Sequence, residues 1–259
     1  MHRRVGTAWD ARELLWSFVR RDLTVRYRHA ALGVAWALLT PLFQMLIFSL
    51  ILGRFVPSDA RVPYPVFAFT GLAAWGLTAS SLRSAINALS GNAYLVSKVA
   101  FPREVLPLAS VIVALVDFLV TLVLLAVLLW YFRMPFHATA LLLPLVVLVQ
   151  LAFTTGLALL LSAANLWWND VRHLFDAGIT LWLFATPVLY PIPAITGVAS
   201  TLLSLNPMTP LVGMYRDLLL HSALPAWEVA LTTALGAAIT LVGGVYLFRR
   251  VEPRFAEIA

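Results

Sequence analysis

Apolar and polar positions divide the chain into two regimes. Over residues 10–28 they alternate with a helical period. Leu14, Leu15, Phe18, Val19 and Leu23 recur on one side, opposite Arg12, Arg20, Arg21 and Asp22. This pattern predicts an amphipathic helix with a single apolar face. Asp10 is placed to cap it, with Glu13 at the reciprocal position. A basic helix of this kind is expected to lie in the membrane interface, apolar side down; a short soluble helix packed on a partner is the alternative. From Leu32 onward the apolar residues no longer alternate but run on for membrane length.

Six spans are predicted against the roughly 20 apolar residues a bilayer core requires. They cover residues 32–53, 64–88, 104–131, 139–163, 174–190 and 227–248, the third long enough to project or tilt. They must be helices, because lipid cannot satisfy stray backbone groups and no alternating barrel pattern is present. Residues 187–226 break the scheme: they stay apolar yet are punctuated by Pro187, Pro191, Pro193, Pro207, Pro210 and Pro225. Such an outer segment, taken as 191–226, reads as re-entrant short helices packed in protein or lining a wet cavity. A surface-lying loop is the alternative. The expected fold is an all-α polytopic membrane protein in one transmembrane domain over 1–259. It has six transmembrane helices, an N-terminal amphipathic interface helix within 1–31, and re-entrant periplasmic or extracellular helices between spans five and six.

Composition agrees. The 259 residues are 61% hydrophobic and only 12% charged, with a mean hydropathy of +0.90, whereas soluble domains carry about a quarter charged residues. The net charge of +6 is not a nucleic-acid footprint, because the basic residues gather at the ends of apolar runs. Seven arginines precede residue 29 (Arg3, Arg4, Arg12, Arg20, Arg21, Arg26, Arg28), and Lys98, Arg103, Arg172, Arg249, Arg250 and Arg254 follow on the same side. The other side holds Arg54, Arg61, Arg133 and Arg216, while Arg83 lies within the second span near its inner end. The bias predicts a multi-pass membrane protein with both termini cytoplasmic. The first apolar run begins too late for a cleavable signal.

Candidate chemistry is sparse. There are no cysteines, and the five histidines lack ligand spacing, so thiolate chemistry is excluded and no metal site is expected. No phosphate-binding G-x-x-x-x-G-K-[ST] run occurs, so the chain is not expected to hydrolyse ATP alone. Charged groups in lipid are costly and usually functional. Asp117 falls in the middle of span three, Gln150 in span four, and Asp176 just inside span five. Asp117 is expected to bond to a neighbouring helix or face an aqueous lumen. Trp9, Trp16, Trp36, Trp167 and Trp168 near one interface, and Tyr64, Trp130, Tyr131, Tyr190 and Trp227 near the other, read as aromatic belts. Phe43, Phe48, Trp75, Trp182 and Phe184 sit deeper and are candidates to line a path for sugars, or simply to face lipid or pack. The loop 89–103, with a partly polar stretch before Phe101-Pro102-Arg103-Glu104, is expected to hold a short helix that docks a cytoplasmic partner.

Four stretches resemble a known family. Arg26-Tyr27-Arg28-His29-Ala30-Ala31-Leu32-Gly33-Val34-Ala35-Trp36-Ala37-Leu38-Leu39-Thr40-Pro41 is similar to the approach to the first span in type-2 ABC exporter permeases of the polysaccharide family, which export O-antigen, capsule or teichoic acid. Lys98 to Pro107 resembles the segment leading into the third span, Asn169-Asp170-Val171 the turn between spans four and five, and Asn206-Pro207-Met208-Thr209-Pro210 the outer N-P-(M/L)-x-P motif. The matches run in order over nearly the whole chain. Ala30 replaces a small hydroxyl residue, and Asn169 an arginine.

The resemblance implies a permease subunit that pairs with a second copy to form a homodimeric channel, with two copies of a cytoplasmic ABC ATPase docked below. ATP and Mg would be bound by that partner, with no cofactor in this chain. The substrate would be a lipid-linked glycan of the undecaprenyl pyrophosphate type, moved through surrounding membrane lipid. A substrate path would involve Arg26, Arg28, Phe43, Trp75, Asp117, Trp182 and Phe184. Coupling to the ATPase would involve Arg20, Arg21, Tyr94, Lys98, Arg103 and Glu104, and an outer gate Pro191, Asn206, Pro207 and Pro210. A permease for a small drug or lipid, or a secondary transporter, would be the alternatives.

Overall fold

A computed structural model describes residues 8–28, 35–54, 62–99, 101–191 and 197–255. The side chains of Arg28 and Trp36, and residues 32–34 of the first predicted span, lie outside the described set. The described residues form helices: α1 (Ala8–Arg28), α2 (Ala35–Leu52), α3 (Tyr64–Ala85), α4 (Ala93–Lys98), α5 (Val105–Tyr131), α6 (Leu143–Trp167), α7 (Asp170–Phe184), α8 (Val198–Leu205), α9 (Met208–Arg216) and α10 (Trp227–Val251). No strand occurs among them.

Four helices among the described residues are long and apolar enough to cross a bilayer: Tyr64–Ala85, Val105–Tyr131, Ala138–Trp167 and Trp227–Arg254. They correspond to the second, third, fourth and sixth predicted spans. Leu39–Leu52 is a shorter apolar helix within α2. The predicted fifth span is helical only in part. α7 has 15 residues and stops at Phe184, where the Ala185 amide bonds to both Leu181 and Leu183 carbonyls. A residue before proline is disfavoured in the helical region, and from Ala185 to Val188 the chain forms a turn before Pro191.

α3 lies at the centre, packed against α2, α5, α6 and α9. Its sequence explains the place. Ala68, Gly71, Ala73, Ala74, Thr78, Ala79 and Ser81 are small, which lets neighbouring backbones approach closely in a setting where lipid offers no hydrophobic drive. α10 lies along α6 through another small-residue seam. A Cβ at Gly156 would stand 2.3 Å from the Thr240 carbonyl oxygen, and one at Gly244 2.5 Å from that of Gly156. The outward sides of these helices are apolar and exposed, as at Val123, Leu148, Leu235 and Ile239, the composition of a surface that meets lipid.

α1 runs along α5. Its apolar side is the one read from the sequence: Phe18 and Val19 are buried with Leu14, Leu15 and Leu23 beside them, against Leu89, Val96, Val105 and Ala109. Arg12, Arg20 and Arg21 face out. One expectation fails. Ala8 and Trp9 are already helical, so Asp10 lies within α1 and is not its N-cap.

The short helix predicted within 89–103 is present as a 3₁₀ turn at Ser90–Asn92 leading into α4. On the opposite side of the bundle, α8 and α9 form an elbow at Asn206-Pro207, and a π turn at Asp217–His221 closes α9.

Candidate functional site

A cavity of about 450 Å³ opens between α1, α2, α3, α5 and α7. Its apolar wall includes Leu72, Trp75, Leu77, Phe118 and Leu183. The polar wall carries Arg26, Tyr27, Gln44, Ser80, Arg83, Ser84, Asp117, Thr121 and Thr180. The polar wall results from helical spacing. Ser80, Arg83 and Ser84 fall three and four residues apart on α3, and Asp117 and Thr121 four apart on α5, so each set shares one side of its helix.

Asp117 is the pivot. Its carboxylate accepts hydrogen bonds from Arg26 Nη1 and from the Tyr27 hydroxyl, both at the end of α1. Arg26 Nη2 donates to Ser84 Oγ at 3.2 Å, which ties α1 to α3 as well. Burial, and then the bond to Asp117, push the Tyr27 phenol up to about 12, so it remains a neutral donor. The ionisable group expected to find a neighbouring helix has found one, and the cavity also exposes it. Arg83 has no ion-pair or hydrogen-bond partner among the described residues, although it lines the same space.

The predicted path residues divide. Arg26, Trp75 and Asp117 line the cavity. Phe43 and Phe184 do not: they are 53% and 56% exposed on outer sides of α2 and α7, because helical rotation points them away from α3. Trp182 packs edge-on against Trp75 at 5.3 Å and supports the wall from behind. Tyr64, read as a belt residue, is buried, and its hydroxyl donates to the Leu189 carbonyl at 2.9 Å.

The predicted coupling residues also divide. Arg20, Tyr94 and Lys98 are exposed. Arg21 donates to Asn92 at 2.9 Å, joining α1 to the 89–103 loop. Arg103 is turned inward: Nε and Nη2 hold the Val96 carbonyl at 3.2 and 3.0 Å, and Nη1 holds that of Glu252 at 2.7 Å. Glu104 pairs with Arg249 at 3.1 Å. These two residues fasten the loop to the end of α10, and their polar atoms are engaged within the chain.

At the far end, Asn206 has all four side-chain bonding sites filled. Its amide donates to the Ala185 carbonyl and Thr186 Oγ1 at 2.9 and 2.8 Å. Its oxygen accepts from Trp182 Nε1 and from the Met208 amide at 2.9 and 3.0 Å, the latter serving the start of α9. Pro207 needs no donor at that position, and Pro210 sits in the first turn of α9 where its missing amide costs little. Pro191 is half-buried at the edge of the described segment. An Asn206→Ala variant is expected to lose about 2 kcal/mol of stability, from several unsatisfied partners, read as a lower melting temperature in detergent.

Sequence reasoning missed two buried groups here. Arg216, counted as an outer topology signal, is only 7% exposed. It holds the Pro187 and Val188 carbonyls at 2.6 Å each and lies 3.6 Å over the Phe67 ring. Tyr215 beside it donates to Gln150 at 2.7 Å, and Gln150 donates to the Ala74 carbonyl and Thr78. A lone cation in a greasy proline-broken stretch was the available signal.

Comparison with known proteins agrees with this architecture. A family model described as ABC-2 type transporter matches residues 13–220. The chain is 36% identical to the O-antigen export system permease protein RfbA of Myxococcus xanthus, over 99% of each chain. It is 32% and 31% identical to two proteins of the same name from Klebsiella pneumoniae, over 95% of each chain. Several membrane-length helices, a polar cavity among them and a match over most of the sequence place this chain in the ABC-2 type transporter family, as a multi-pass membrane transport component and not an enzyme.

Proposed function

We propose that this chain is the permease subunit of an ATP-driven exporter that moves a lipid-linked polysaccharide, such as an O-antigen, from the cytoplasm across the inner membrane. Two copies form the channel, and two ABC ATPase subunits that bind ATP and Mg dock on its cytoplasmic side. The observation that carries the reading is the cavity itself. It faces a basic interfacial helix, joins two arginines to one aromatic wall, and belongs to a chain whose relatives are named for O-antigen export.

The membrane placement has physical support. α5 has 27 residues, about 40 Å at 1.5 Å per residue, against roughly 30 Å of hydrocarbon. It therefore projects on one side, where α1 and the 89–103 loop pack. With Arg-rich ends inside, Asp117 falls about two turns within the inner boundary, at the depth of a lipid headgroup drawn slightly inward. α9 supports the re-entrant reading. Its Tyr215 reaches Gln150 and, through it, Ala74, ten residues and about 15 Å along α3 from Tyr64. A bond at that depth is what a segment turning back into the bundle would make. The Asn206 and Arg216 clamps hold the elbow, so Pro191, Asn206, Pro207 and Pro210 shape the outer gate.

Arg26 and Arg28 are the residues proposed to meet a pyrophosphate, because a planar guanidinium suits phosphate oxygens. Trp75 lines the same cavity with its ring largely buried against Trp182. A cavity of about 450 Å³ also lies in the range of small-molecule sites, which favours export of a drug or lipid as a second reading. Binding of glycolipid and drug panels to the purified complex separates the two.

Coupling is assigned to the exposed side of α4. Tyr94→Ala with Lys98→Ala leaves the buried Val96 and the Arg103 staple in place. Export is expected to fall roughly tenfold, within the range of a 1–3 kcal/mol coupling, with the chain's abundance in the membrane unchanged. Full export by the double variant removes the coupling assignment. Co-purification of an ATPase in equal number is the expected composition of the complex.

A further inference from the structure

The ionic contents of the cavity do not balance. Two guanidinium groups, Arg26 and Arg83, face one carboxylate, Asp117. Asp117 is committed to Arg26 and Tyr27 on α1, and Arg83 is left without an acidic partner among the described residues. Side-chain exposures of 35% for Arg26 and 17% for Asp117, with Arg83 itself exposed, leave all three groups open to a ligand that enters the cavity.

We infer that Asp117 is a built-in competitor for a phosphate-bearing headgroup: Arg83 attracts the anion, Arg26 exchanges Asp117 for it, and the exchange releases the end of α1 from α5. The inference rests on the reading that the cargo carries a phosphate, and deepens it. Several features fit the exchange. Arg26 also bonds Ser84 at 3.2 Å, one residue from Arg83, so the two cations approach one side of α3. The Ser80 and Ser84 hydroxyls lie on that side as further donors. Tyr27 is the second donor that holds Asp117, so the contact of α1 with α5 at this level is polar and exchangeable. The apolar contact of Phe18 and Val19 lies further down α1 and serves as the hinge. A neutral cargo gains nothing by the exchange and leaves the latch shut, which makes Asp117 a specificity-determining residue whose loss should strengthen binding.

That sign separates the latch from a purely structural ion pair. Inorganic pyrophosphate is titrated calorimetrically into the full chain in phosphatidylcholine nanodiscs. A spin label at Thr24→Cys reports on α1; Thr24 is exposed and the chain has no native cysteine. Asp117→Asn is expected to tighten pyrophosphate about tenfold, which is about 1.4 kcal/mol, and to mobilise the label without ligand. Arg83→Gln is expected to weaken binding by a similar factor with the label still held. In the unmodified interior, saturating pyrophosphate should itself mobilise the label. Nanodiscs with phosphatidic acid added distinguish a lipid phosphate from the free ion, since the former should mobilise the label with no pyrophosphate present. Unchanged or weaker binding in Asp117→Asn, unchanged binding in Arg83→Gln, or a label that ignores saturating pyrophosphate each overturns the proposal. Should Asp117→Asn not fold, the last two results decide. Glycan export that depends on the chain while these measurements fail removes the latch alone; a latch that opens in a chain dispensable for export removes the substrate reading alone.

Discussion

Gly156→Leu is expected to unseat α10 from α6 and to leave little correctly folded protein. The two helices meet backbone to backbone. A Cβ on Gly156 would stand 2.3 Å from the Thr240 carbonyl oxygen and 2.7 Å from the Leu241 nitrogen. Those are backbone atoms of a helix and cannot swing aside. Overpacking against movable side chains costs about 1–3 kcal/mol; here the helices must separate, so a loss of at least about 3 kcal/mol is expected. Separation also forfeits the close contact that stabilises helix pairs where hydrophobic drive is absent. Gly243→Leu is the control, because nothing stands within 4 Å of a Cβ there. Thermal unfolding in nanodiscs should show a large fall for the first and little change for the second. Equal melting of the two variants would sink the contact as described.

Arg216→Leu should loosen the outer end of the bundle by about 3 kcal/mol. The guanidinium bridges two carbonyls on consecutive residues, Pro187 and Val188, at 2.6 Å each. Bonds to a charged donor are each worth about 1.5–3 kcal/mol, and leucine leaves both acceptors buried without partners. Part of this is returned, since a cation no longer has to be desolvated. The stacking over Phe67 at 3.6 Å is lost as well. A fall in melting temperature of roughly 5–10 °C follows for a domain near this size. Arg216→Lys should rescue little, because a single ammonium on a flexible stem does not present the two parallel donors. Gly71 gives a second check: its Cβ would lie 2.7 Å from Arg216 Nη2 and 2.5 Å from the Val188 oxygen, so Gly71→Ala should reproduce part of the defect. A lysine variant as stable as the parent would show that charge alone, and not the two-pronged geometry, holds the turn.

Much of the architecture was legible in the order of residues. Apolar runs at 64–88, 104–131, 139–163 and 227–248 match membrane-length helices because length and hydropathy suffice to define such elements. The period of Leu14, Phe18 and Val19 correctly named the buried side of α1. Asp117 stood out because a carboxylate in a greasy helix has few ways to be satisfied, and the same logic identified Gln150. The failures have physical causes too. Asp10 was offered as a cap although a helix can start earlier than its best capping residue. For Phe43 and Phe184 depth does not choose between path, lipid and packing, because which way a residue points is set by rotation about the helix axis, and an apolar residue fits lipid and cavity equally. Arg103 and Glu104 are coupling candidates by sequence, and only the fold brings partners 149 and 145 positions away, Glu252 and Arg249, against them.

The sequence by itself determined the solvent of this protein, its helical character, the amphipathic start and the family. Those properties follow from local chemistry: hydropathy, helical period and motif order can be read from near neighbours along the chain. Only the tertiary structure decided that Arg216 is a buried clamp and not an outer topology mark. It alone showed that Arg26 and Tyr27 close on Asp117 while Arg83 has no ionic or hydrogen-bond partner among the described residues, and that Gly156 and Gly244 touch backbones. Each of these depends on helices distant in sequence meeting at a particular rotation and depth. In lipid, where apolar surface gains little by leaving its solvent, that rotation is set by small-residue fit and by the few polar groups that must find one another.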